Sequence, residues 1–180
     1  MRCMYMKDEL AVITKQLGRE PENFAGVRAY CPFDYPAVVL TAPYSKENGV
    51  FPTLYWLTCP YLVKSVARLE DEGLVRELTE LLKRDTNLQK ELMKAHQKYA
   101  LVRFSYLGES EKELLSDKSP AILRVLREAG VGGIMDKQGI KCLHTHLADY
   151  LVNKQNPIGS LVWQKTAWPS GCSICMSGSD

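Results

Sequence analysis

No stretch of this chain offers the roughly 18–20 consecutive apolar residues that a membrane-spanning helix needs. The richest run, Phe51 to Val63, is broken by Pro52, Thr53, Thr58 and Pro60. An excess of charge is missing too: 23 basic against 21 acidic residues leave a formal +2. That balance does not indicate nucleic-acid or membrane binding by bulk electrostatics. The chain lacks a G-x-S-x-G elbow, an H-E-x-x-H helix and a dinucleotide or P-loop glycine pattern, so the usual motif routes to a function are closed. Internal repeats and low-complexity segments are absent as well. The N-terminus reaches Asp8 and Glu9 before any long apolar region and makes a poor signal peptide, so the expected location is the cytosol.

What is present describes a globular chain. With 180 residues, 46% of them hydrophobic and 24% charged, it can bury one core without covalent staples. Its six cysteines are then expected to be free thiols or metal ligands rather than a disulfide framework.

The pattern predicts an α+β fold in one domain, residues 1–167, with the sheet mainly in 26–58 and the helices mainly in 59–152. Residues 168–180 read as a flexible, cysteine-containing tail. Gly26 to Tyr30, Ala37 to Thr41 and Thr53 to Leu57 are rich in β-formers, and their short connections require antiparallel pairing. They form a small sheet of about three strands, with a turn at Asn48-Gly49. Five to six helices cover it. These are Lys7 to Leu17, the segment from Pro60 to Gly73, Leu74 to Lys83, Leu88 to about Phe104, Pro120 to Gly130, and Gly139 to about Val152. Thr86 is a candidate cap. Gly130 to Gly133 reads as a helix stop rather than an anion-binding nest.

Chemistry centres on the cysteines. Cys31 and Cys59 each precede a proline near the end of a predicted strand, and Cys59 also stands at a helix start that favours a thiolate. The alternative for both is a small buried core residue. On an ideal helix Cys142, His146 and Asp149 project together at i, i+4 and i+7, which suits a shared metal or an acid/base pair. His144 falls nearly opposite Cys142 and joins it only if the segment is irregular. Cys172 and Cys175 have C-x-x-C spacing, which binds zinc or cycles as a dithiol, but no second pair accompanies them. Cys3 carries no pattern.

The stretches Cys31-Pro-Phe-Asp-Tyr-Pro-Ala-Val-Val, Phe51-Pro-Thr-Leu-Tyr-Trp-Leu-Thr-Cys-Pro, Lys141-Cys-Leu-His and Asn156-Pro-Ile-Gly resemble a bacterial family, domain of unknown function 501. The resemblance runs from about Gly26 to Gly159 and implies a bacterial cytosolic protein, with no established activity, substrate or cofactor. Cys31, Cys59, Cys142 and His144 lie in the matching motifs; His146 and Cys175 do not. The resemblance therefore singles out His144, whereas helix geometry prefers His146.

The leading expectation is a metal site in which Cys31, Cys59 and Cys142 meet, with Cys172 or a histidine as fourth ligand. It would hold zinc or an iron–sulfur cluster. Hydrolytic or sulfur-transfer chemistry would follow, with His144 as proton carrier and Asp149 as a further acid/base group. Two other readings stay open. One is a metal-free interaction protein with structural cysteines, presenting its mixed-charge helices to a protein partner. The other is a thiol enzyme using Cys59 with a histidine base.

Overall fold

A computed structural model describes residues 6–172 and 174–175. Cys3 and the last part of the expected tail, 176–180, lie outside them. The strands are β1 (Phe24–Tyr30), β2 (Pro36–Thr41), β3 (Tyr44–Ser45), β4 (Gly49–Val50) and β5 (Tyr55–Leu57). The helices are α1 (Met6–Leu17), α2 (Pro60–Asp71), α3 (Leu74–Arg84), α4 (Thr86–Ser105), α5 (Glu109–Lys118), α6 (Pro120–Glu128), α7 (Leu143–Asn153) and α8 (Pro157–Thr166).

The central strand is β2. It pairs antiparallel with β1 on one side and β5 on the other, with Val38 opposite Leu57 and Val39 opposite Trp56. All six of its residues are buried, whereas β1 alternates between half-buried and exposed positions and pairs with an irregular register. A central strand covered on both faces needs no polar alternation; an edge strand with one wet face does. Helix α7 lies against all three strands, and α1 also contacts β2. The α+β class and the three-stranded antiparallel sheet match expectation. A small second ladder, β3 with β4, turns at Gly49, whose φ of +73° suits glycine.

Eight helices replace the five to six expected among the described residues. Helix α2 starts at Pro60 and buries Leu62, Val66 and Leu69, the stripe read from the sequence. The cap of α4 is Asp85 rather than Thr86, its carboxylate accepting the N–H groups of Asn87 and Leu88. Helices α5 and α8 were not anticipated. The last expected helix starts at Leu143 rather than Gly139. The Gly130–Gly133 segment is a short 3-10 turn whose Val131 N–H donates to His96 Nδ1 at 3.0 Å. No helix among the described residues is long and apolar enough to cross a membrane.

Candidate metal centre

The start of α7 is where this fold collects unlike donor atoms. Leu143, Leu147 and Leu151 are buried on one side of the helix and hold it in the core. Cys142 precedes them in extended conformation (φ −152°, ψ 125°), so it is the N-cap and not a helical residue. The first N–H groups of a helix have no intrahelical acceptor. Glu70, from the last turn of α2, supplies one: its Oε1 accepts the Leu143 N–H at 2.7 Å. A carboxylate at a helix N-terminus is also favoured by the helix dipole.

The other Glu70 oxygen, Oε2, lies 3.3 Å from His144 Nδ1. Cys142 Sγ approaches the same nitrogen at 3.7 Å. On the far side of the ring, Nε2 is 3.1 Å from the Val63 carbonyl oxygen. A carbonyl oxygen only accepts, so Nε2 carries the proton and donates it there. That bond orients the ring and leaves Nδ1 facing the thiol and the carboxylate. The donor atoms of Glu70, Cys142 and His144 all lie within 4.8 Å of one another. Among the described residues no other set of three His, Cys, Asp or Glu donors meets so closely. The side chains of His144 and Glu70 retain 25% and 27% exposure, enough for solvent to reach them.

Electrostatics follow from this geometry. Burial resists ionisation of Cys142, but its contacts with His144 and the Thr145 backbone outweigh it and bring the thiol below its ordinary value. Burial likewise disfavours the charged form of His144; contact with Cys142, Glu70 and the Val63 carbonyl raises it nonetheless.

The sequence-derived residues separate into distinct places. Cys142 and His144 come together, joined by Glu70. Cys59 does not join them. It caps the N-terminus of α2 while Glu70 closes the same helix, eleven residues on and about 16 Å away at 1.5 Å per residue. Cys59 is buried, and burial raises its thiol. Cys31 is buried in the turn after β1, its N–H donating to the Tyr35 carbonyl. Cys172 is half-buried in the segment after α8.

The ideal-helix projection of Cys142, His146 and Asp149 onto one face does not hold, because the helix begins after Cys142. His146 is buried, with Nδ1 3.2 Å from Asn156 Oδ1, and burial pushes its pKa down to about 3. Asp149 is buried too. It accepts from Asn153 Nδ2 at 2.6 Å and Asn156 Nδ2 at 2.9 Å, and burial raises it to about 6. Together they anchor the start of α8, whose Gly159 N–H also bonds Asn156 Oδ1. Glu70 went unread in the sequence, since nothing local links it to a motif 73 residues further on.

The family model for a protein of unknown function, DUF501, matches residues 27–164. The chain belongs to this family. The matched span contains Glu70, Cys142 and His144, together with Cys31 and Cys59, and ends before Cys172. Neither a curated protein nor a solved structure matches the chain.

Proposed function

We propose that this DUF501 chain binds one zinc ion through Glu70 carboxylate, Cys142 thiolate and His144 Nδ1, leaving the fourth tetrahedral position to water or a small substrate. The observation that carries the reading is convergence of thiol and carboxylate on one histidine nitrogen whose partner nitrogen is tied to a backbone carbonyl. Metal-ligating histidines are oriented in this way. Tetrahedral zinc with bonds of about 2.1 Å to N and O and about 2.3 Å to S separates N from O by about 3.4 Å and N from S by about 3.6 Å. The separations here are 3.3 Å and 3.7 Å.

A nucleophilic thiol–imidazole–carboxylate relay is the competing arrangement. In such a relay the nucleophile and the carboxylate address opposite ring nitrogens. Here both address Nδ1, which supports metal ligation over a relay. One thiolate beside an imidazole and a carboxylate also suits zinc better than an iron–sulfur cluster, which takes mainly cysteine ligands. Three protein ligands with an open position can activate water for hydrolysis. Free thiols as ligands fit the cytosol.

The test is zinc stoichiometry and affinity on the full chain. Cys142→Ser, His144→Ala and Glu70→Gln should each remove one equivalent or weaken its binding by at least about 100-fold. Folding should persist, because the amide introduced by Glu70→Gln keeps an oxygen for the Leu143 N–H and the aliphatic stripe of α7 is untouched. Full retention of zinc by Cys142→Ser rules the site out.

A further inference from the structure

Four other cysteines gather at the opposite end of α2, around the start of β2. Cys31 opens the tight turn that leads into β2: the Asp34 N–H donates to the Cys31 carbonyl, and the Cys31 N–H to the Tyr35 carbonyl. Cys59 is held to the same place from the other neighbouring strand, since the Ala37 carbonyl accepts the N–H groups of both Thr58 and Cys59. The segment after α8 returns here as well. Trp168 stacks edge-on against Trp163 with centroids 4.9 Å apart, and its Nε1–H donates to Cys59 Sγ at 3.5 Å. Gln16 Nε2 reaches both the Pro36 carbonyl, at 2.9 Å, and Cys175 Sγ, at 3.4 Å. Cys175 is near enough to Cys31, Cys172 and Cys59 to interact electrostatically with each.

The thiol of Cys59 stands at the start of a helix whose first N–H groups need acceptors, and it receives the Trp168 indole N–H. Burial opposes a bare anion there, and a bound cation removes the conflict.

We propose that Cys31, Cys59, Cys172 and Cys175 form a second, closed site for one thiophilic metal ion, zinc or iron, that fastens the segment after α8 to the start of β2. Two ligands come from rigid elements of the sheet layer, and two from a C-x-x-C pair, whose spacing lets both sulfurs face one tetrahedral ion. No three of these sulfurs lie within 4.8 Å of one another. A change of χ1 rotamer swings a cysteine sulfur by about 3 Å, so the half-buried Cys172 and Cys175 can close on the two buried thiols without moving the sheet. Binding exchanges thiol protons for the metal and involves no change of oxidation state.

The experiment compares the reduced full chain, purified without oxygen, with its Cys172→Ser/Cys175→Ser double variant. Both are loaded with Zn(II), dialysed and analysed for zinc and iron. The double variant should carry one equivalent less metal than its parent. That loss should also appear in a Cys142→Ser background, which separates it from the Glu70–Cys142–His144 site. Colourless protein identifies zinc, and visible charge-transfer bands identify iron. Metal in the parent should also protect Cys172 and Cys175 from alkylation, with a strong chelator exposing them. Equal metal content in parent and double variant overturns the proposal, as does a metal-free parent whose Cys172 and Cys175 are joined by a disulfide.

Discussion

Gly159 sits where α8 crosses α7, and a Cβ there would lie 2.1 Å from the His146 carbonyl oxygen and 2.5 Å from Tyr150 Cβ. No L side chain fits that gap without separating the helices. Gly159→Ala is therefore expected to destabilise the fold by about 3 kcal/mol, at the upper end for overpacking a well-filled interior. Urea denaturation checks it, and a midpoint within error of the parent's contradicts the close crossing. Residue by residue, the sequence exposed two of the three residues of the candidate site. Cys142 and His144 stand two positions apart in a motif that the family resemblance singles out. Glu70 reaches them only because α2 and α7 pack, and a carboxylate among 21 acidic residues carries no mark of its own. The preference for His146 came from extending helical periodicity through Cys142, which the N-cap geometry breaks.

Helix termini decide much of the element-scale structure. Arg103 of α4 is fully buried and donates to the carbonyls of Val125, Leu126 and Ala129 at the end of α6, and to that of Pro52 just before β5. One guanidinium thus serves the last carbonyls of a neighbouring helix, where intrahelical donors run out. Arg103→Met should cost about 3 kcal/mol or more, since several buried carbonyls lose their donor together. Arg103→Lys should recover only part of that, because an ammonium cannot reproduce the planar fork. Chemical denaturation of the two variants measures the difference, and equal stability of all three chains would show that water replaces the arginine. Helices α2, α3 and α6 were legible because each buries a periodic aliphatic stripe. Helix α5 was not, since it buries Leu115 alone in an otherwise polar stretch. Helix α8 depends on Asn156, which caps it and also donates to Asp149 of α7.

Across the whole molecule, acid should act through a few buried groups. Burial lowers His96 to about 4 and His146 to about 3, so both stay neutral in the folded chain while an unfolded histidine protonates near 6.5. Their contribution is fully present above pH 6.5 and is lost as pH falls toward those values. Asp149, raised to about 6, has the opposite sign: its contribution is complete below pH 3.8 and is lost as pH rises through 6. Between pH 6 and 4 the unfolded chain therefore holds about two protons at these histidines that the folded chain lacks, while the folded chain holds about one at Asp149 that the unfolded chain lacks. The net of one proton weakens the fold by about 1.4 kcal/mol per pH unit. Urea midpoints measured from pH 7 to pH 4.5 should show this slope, and His146→Gln should flatten it toward zero. An unchanged slope in that variant removes His146 from the account.

Local chemistry was enough to determine the α+β class, the antiparallel sheet and most helices, because strand pairing and aliphatic stripes depend on residues close together in the chain. Burial of all of β2 and the N-cap placement of Cys142 were settled only by packing. So was the division of the cysteines between the two ends of α2. The sequence places Cys59 beside Pro60 and Cys142 beside Leu143, but gives no distance between them. A rigid helix about 18 Å long does, and it sends one thiol toward the start of β2 and the other to Glu70 and His144.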